Sequence, residues 1–128
     1  SSPNRWAFDS LLSASQIQSV LNNASQPTVV LQWGCWTGYH VDPLADGLSQ
    51  AWLIGPRGAA LALGAATLTE IENDHALARA LMVELGRPGT TYGEALLHAR
   101  QTLGADPRRA DVVLGVNLFG DPAMPVRP

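Results

Sequence analysis

The chain holds a single cysteine, Cys35, and its setting is one in which a thiol could do chemistry. It follows an apolar run over residues 28–33 and sits in Gly34-Cys35-Trp36-Thr37-Gly38. Open α/β folds present nucleophiles at the C-terminal edge of a strand, and the position suits one. A lone cysteine has no internal disulfide partner. Its sulfur is therefore either inert packing, as in many buried free cysteines, or a nucleophile. A thiol nucleophile needs a base or cation nearby to form thiolate at neutral pH. His40 is the nearest candidate base in sequence, whereas His75 and His98 fall on amphipathic stretches and read as structural.

Several common thiol sites fail on spacing. A nucleophile elbow needs Gly-x-Cys-x-Gly, and here neither glycine is in place. A phosphatase-type loop needs an arginine soon after the thiol, but none occurs before Arg57. A thioredoxin-type site needs a second cysteine. One cysteine with scattered histidines makes no zinc cluster. The glycines around residues 55–58 and Gly64 have neither dinucleotide nor P-loop spacing. Asp42, beside Pro43, reads as a helix start and Asp121, before Pro122, as a turn former. Trp6, Trp33, Trp36 and Trp52 suit a core or interface, and Trp36, directly after the thiol, could line a pocket.

The elements that must position the thiol follow from periodicity. An amphipathic helix is predicted over 11–21, with Leu12, Ile17, Val20 and Leu21 on one face and Ser13 or Ser15 as cap. A polar stop covers 22–27, and a strand buried on both faces covers 28–33. A second helix is predicted from Asp42 to about Ile54, broken over 55–58. Residues 59–66 read as a second buried strand, although their alanines would also suit a helix. A strong helix over 72–85 places Leu77, Ala78, Leu81, Met82 and Leu85 on one stripe, stopped by Gly86 and Pro88. A helix over 91–103 carries Ala95, Leu96, Ala99 and Leu103, and residues 112–119 read as a closing strand. This alternation predicts an α/β fold: an open, mostly parallel sheet with helices on both faces. About three strands are present where such sheets usually carry more. The expectation is one partial domain over residues 1–128, completed by an upstream segment or a second chain.

Composition bounds the function. At 128 residues the chain is at most one domain. Its net charge of −3 gives no electrostatic case for nucleic acid or anionic membrane. All eight cations are arginine, so P-loop and Schiff-base lysines are excluded within this chain. No apolar run approaches the roughly 18 residues that span a bilayer. The opening Ser1-Ser2-Pro3-Asn4-Arg5 does not read as a signal peptide.

Six segments, in order, resemble the C-terminal half of the gingipain-type cysteine peptidases, a branch of the caspase-like group. Ser2-Pro3-Asn4-Arg5-Trp6 is similar to the segment after that family's His-Gly pair. Leu12-Ser13-Ala14-Ser15-Gln16-Ile17, on to Asn22, is similar to the helix between histidine and cysteine. Residues 29–39 resemble the nucleophile strand and turn, and Gly58-Ala59-Ala60, on to Gly64, the next strand. Tyr92-Gly93-Glu94-Ala95-Leu96 with Ala99-Arg100 resembles a late helix. Leu118-Phe119-Gly120-Asp121-Pro122-Ala123-Met124 resembles the closing Gly-Asp-Pro element.

The resemblance implies a caspase-like fold and a portion of a cysteine endopeptidase that hydrolyses peptide bonds through a Cys-His dyad. It implies Cys35 as nucleophile, with its backbone N–H in the oxyanion hole, and a peptide or protein substrate. The family's histidine falls just before Ser1, and Ser1 takes the place of the glycine that gives the second oxyanion N–H. None of the three histidines present matches the family's, so residues 1–128 alone are expected to hydrolyse peptides inefficiently. No cofactor is implied; calcium occurs in the family, but no dense carboxylate loop is present. A secreted or otherwise extracytoplasmic setting is implied by the family. The alternative is a non-catalytic caspase-like interaction module or inactive fragment, whose cysteine is a relic.

Overall fold

A computed structural model describes residues 1–6, 11–23, 25–54 and 58–127, without the side chains of residues 18 and 20. The predicted polar stop at Ala24, the break over 55–57 and the facing of Val20 therefore lie outside the described residues. The chain opens with a short antiparallel pair, β1 (Arg5–Trp6) and β2 (Leu12–Ser13), which periodicity had not suggested. Helix α1 (Ala14–Val20) follows directly. Its start is set by Ser13, whose hydroxyl accepts from the Gln16 N–H while Gln16 Oε1 accepts from the Ser13 N–H. This reciprocal box satisfies two backbone donors that a helix start would otherwise leave unpaired.

Strand β3 (Thr28–Leu31), helix α2 (Leu48–Leu53) and strand β4 (Ala59–Ala65) come next. They are followed by α3 (Ile71–Leu85), α4 (Tyr92–Leu103), α5 (Ala110–Gly115) and β5 (Val116–Gly120). The sheet order is β3-β4-β5, with β3 parallel and β5 antiparallel to β4. The three-strand α/β architecture matches the expectation, but the direction of the last strand does not. One helix between β3 and β4 returns the chain to the same edge and gives a parallel pair. Two long helices lie between β4 and β5, so the chain re-enters the sheet from the opposite end.

Three local expectations are corrected. Helix α2 begins at Leu48, not at Asp42, whose carboxylate instead accepts from the Leu44 N–H in a turn. Residues 112–115 belong to α5 rather than to the closing strand. Met82 is 60% exposed and lies off the buried stripe of α3, while Leu77 and Leu81 are fully covered. On α4, Ala95, Leu96, Ala99 and Leu103 are all buried, as the spacing predicts.

Strand β4 is the spine. Leu63 and Ala65 point into the core formed with Leu77 and Leu81 of α3 and Ala95, Leu96 and Ala99 of α4. Ala62 points the other way, into a second core with Ile17, Leu48, Ala51 and Trp52 of α1 and α2. The two-residue period of a strand thus places Gly64 on the α2 side, beneath the turn that carries Cys35. There the approach is backbone on backbone: a Cβ on Gly38 would lie 2.2 Å from the Gly64 carbonyl oxygen. Only glycine allows that distance.

Gly38→Ala is therefore expected to destabilise the fold by about 3 kcal/mol or more, as overpacking against rigid backbone does. Gly86→Ala is the control, since its backbone is right-handed helical and an added Cβ finds its nearest neighbour at 3.4 Å. Urea unfolding midpoints should fall sharply for the first variant and barely move for the second.

Candidate active site

The thiol turn begins where β3 ends. Parallel strands β3 and β4 finish at the same edge of the sheet, and the segments leaving them, 32–38 and 66–70, meet there. Three contacts dock the turn onto β4 and its exit, and a fourth bond closes the turn on itself. The Gly38 N–H donates to the Ala65 carbonyl at 2.8 Å, and the Trp36 N–H to the Thr67 carbonyl at 3.1 Å. Thr37, fully buried, accepts from the Ala65 N–H at 3.3 Å and donates to the Gly34 carbonyl at 3.0 Å. Trp36 adopts φ 65°, a left-handed conformation that costs roughly 1 kcal/mol for a residue with a Cβ. The dense bonding around it holds this conformation.

A buried polar relay fixes the turn from the α2 side. Gln32 is 1% exposed; its amide donates to Ser49 Oγ at 3.1 Å and accepts from the Trp52 indole N–H at 3.2 Å. Ser49 in turn donates to the Thr37 carbonyl at 3.0 Å. Each buried group is satisfied by another, so the relay specifies one geometry instead of merely tolerating burial. Gln32 and Ser49 were not singled out in the sequence, although a glutamine inside an otherwise apolar run was a signal for the first.

Cys35 is half-buried, and among the described residues Thr69 bonds its sulfur. The thiol donates to the Thr69 carbonyl and accepts from the Thr69 N–H, both at 3.3 Å. The Thr69 hydroxyl lies 3.7 Å from the sulfur and 3.0 Å from Asp74 Oδ2. Asp74 is 7% exposed, and burial pushes its carboxyl above the usual range, against the lowering effect of the Thr69 bond. Neither Thr69 nor Asp74 was identified from sequence, because the contact joins two loops 34 residues apart.

The histidines go elsewhere. His40 is exposed, bonds the Gly38 carbonyl through Nδ1 at 3.1 Å and packs edge-on against Phe119. His98 faces Glu84 at 3.4 Å, and His75 is exposed on α3. Among the described residues none of the three bonds the thiol. His40 is thus not placed as the base that its closeness in sequence suggested.

The N-terminal segment does come to the thiol turn. A Cβ on Gly34 would lie 3.0 Å from Ser1 Oγ, so Ser1 packs on the residue preceding Cys35. The segment is held there by the Leu48 N–H on the Pro3 carbonyl at 2.8 Å and by the Trp6 indole on the Trp33 carbonyl at 3.2 Å. Trp36 stands between two depressions. One, of about 550 Å³, is lined by Ser1, Ser2, Pro3, Trp36 and Tyr39, the two rings meeting edge-on at 5.5 Å. The other, largely apolar and about 350 Å³, has Trp36, Leu68 and Leu114 among its walls.

A thiol at the C-terminal edge of parallel strands, on a turn fixed by buried backbone contacts, is built to present sulfur in one position. Comparison with known proteins agrees with this architecture. The crystal structure of the Arg-specific cysteine proteinase gingipain R superposes with a TM-score of 0.79 at 15% identity, over 99% of this chain and 32% of that one. At that identity the match shows a shared caspase-like fold, and the chain spans about a third of that protein's length. No curated protein matches the chain. The profile of peptidase family C25 matches residues 1–127, and the chain belongs to that family of cysteine peptidases.

Proposed function

We propose that this chain is the nucleophile-bearing portion of a cysteine endopeptidase, with Cys35 attacking the scissile carbonyl and a histidine immediately upstream of Ser1 as its base. The observation that supports the proposal is the seat of Ser1 against Gly34, the residue before Cys35. An imidazole there would draw the proton from the thiol and hold it as imidazolium while the thiolate forms a tetrahedral intermediate. The same proton then goes to the leaving amine, giving an acyl-enzyme that water hydrolyses. The backbone N–H groups of Cys35 and Ser1 would carry the oxyanion. Trp36, between the two depressions, would form a wall for the substrate peptide.

The substrate is a peptide or protein, as family membership supports. Strand β3 pairs only with β4 among the described residues, which leaves its other edge for an upstream segment or a second chain. The greater length of gingipain R supports the upstream segment. Family resemblance supports an extracytoplasmic setting, and no helix of the described residues is long and apolar enough to cross a membrane. One observation favours a non-catalytic module instead: among the described residues the thiol donates to a backbone carbonyl and not to a base.

Two measurements separate these. Cys35→Ala in the intact protein is expected to lower kcat on a peptide panel at least about a thousandfold while the circular dichroism spectrum is kept. Full activity in that variant would remove Cys35 from the chemistry, and no activity in the intact wild-type protein would favour the binding module. Trp36→Ala is expected to raise KM roughly tenfold with a smaller change in kcat, as loss of a binding wall does. An unchanged KM would take Trp36 out of the substrate path.

A further inference from the structure

Three features lie outside the chemistry above: the charged surface around Asp106 and Arg108, the exposed apolar rim at Leu68, Ile71 and Leu114, and the buried carboxyl of Asp74. The first is internally paired, with Arg108 donating twice to Asp106. The second, through Leu68 and Leu114, belongs to the depression beside Trp36 already described. The third is connected to the thiol through a single hydroxyl.

We propose that Asp74 is a positioning residue for Cys35, acting through the Thr69 hydroxyl to hold the resting sulfur as a neutral thiol. This rests on Cys35 being the reactive group. Thr69 Oγ1 has one proton and two neighbours, Asp74 Oδ2 at 3.0 Å and Cys35 Sγ at 3.7 Å. An ionised carboxylate is the better acceptor and takes it. The sulfur then faces the lone pairs of Oγ1, with the Thr69 N–H as its donor and the Thr69 carbonyl accepting its own proton. That setting suits S–H and disfavours S⁻. When Asp74 carries a proton, its O–H can donate to Oγ1 and the hydroxyl hydrogen is free to turn to the sulfur. A thiolate then has two donors in place of one and loses a nearby negative charge. No bond is made or broken between heavy atoms: the carboxyl takes one proton from solvent and the hydroxyl rotates.

The surroundings make Asp74 responsive. Its Oδ1 is buried with no hydrogen-bond partner among the described residues, an arrangement that penalises the ion. Burial is the main cause that raises its pKa, Asp111 on α5 adds to it, and the Thr69 bond and His75 on α3 oppose it. Asp74 lies in the first turn of α3, beyond its N-cap Glu70, and gives Oδ2 to the Thr69 hydroxyl, which lies beside the nucleophile. The resting neutral thiol also resists oxidation better than a thiolate would.

The test is the pH dependence of iodoacetamide alkylation of Cys35 in the intact protein, followed by mass spectrometry of the peptide that contains it. It needs no hydrolytic activity, so its outcome is independent of whether the protein cleaves peptides. Asp74→Asn is expected to lower the apparent pKa of Cys35 by about one unit, or roughly tenfold more thiolate below that pKa. Thr69→Val alone is expected to leave the apparent pKa within about 0.3 of wild type, because Asp74 already claims the hydroxyl. In the Asp74→Asn background, Thr69→Val should remove much of the gain and Thr69→Ser should keep it. An unchanged or raised pKa in Asp74→Asn would overturn the proposal, and so would a full gain that survives Thr69→Val. Should Asp74→Asn not fold by circular dichroism, Thr69→Val decides alone: a raised pKa would show that the hydroxyl already serves the sulfur.

Discussion

The contact between Gly38 and Gly64 sets the geometry on which the site depends. A turn can lie flat on a strand only where neither backbone carries a side chain between them, and here a Cβ on Gly38 would meet the Gly64 carbonyl at 2.2 Å. That closeness lets the Gly38 N–H reach the Ala65 carbonyl and lets Thr37 insert its hydroxyl beside the strand. Once these bonds form, Trp36 is held in a left-handed conformation and Cys35 is aimed at the loop that leaves β4. The thiol's position is therefore a consequence of packing two backbones. Flexibility in the turn would forfeit it, because a misplacement of about 1 Å at a reacting atom is costly in rate.

Two polar systems meet at that turn from opposite sides. Gln32, Ser49 and Trp52 brace it from α2, and all three are buried and mutually satisfied. On the far side Thr69 touches the sulfur and Asp74 stands behind the Thr69 hydroxyl, and there the satisfaction is incomplete. The contrast is physically sensible: the brace needs one fixed geometry, whereas a reactive group benefits from a neighbour whose charge state can change. The N-terminal segment closes the third side, with Ser1 on Gly34 and Pro3 bonded to the start of α2.

Much of this fold was legible in the sequence because its signals are local. The stripe at Ala95, Leu96, Ala99 and Leu103, the Ser13 cap and the apolar run of β4 each carry their signal within a few residues. The direction of β5 was not legible, since it depends on how α3 and α4 return the chain and not on any residue of the strand. The start of α2 was misjudged because Asp42-Pro43 is an ordinary helix opening, yet Asp42 turns its carboxylate to Leu44 instead. Cys35 stood out by its type and its place after an apolar run. Its partners did not: Thr69 and Asp74 are unremarkable residues near a helix start, and only the tertiary fold brings them to the sulfur. His40 misled for the converse reason, being near in sequence and turned toward Phe119 in space.

The central claim is that Cys35 is the thiol that attacks a peptide carbonyl. The most direct measurement is active-site labelling of the intact protein with a panel of peptidyl acyloxymethyl ketones, with the modified residue located by mass spectrometry. The account expects one saturable thioether adduct, on Cys35, that excess peptide substrate prevents from forming. An intact protein that cleaves peptides yet is labelled elsewhere, or whose Cys35 is labelled no faster with substrate absent than present, would contradict it.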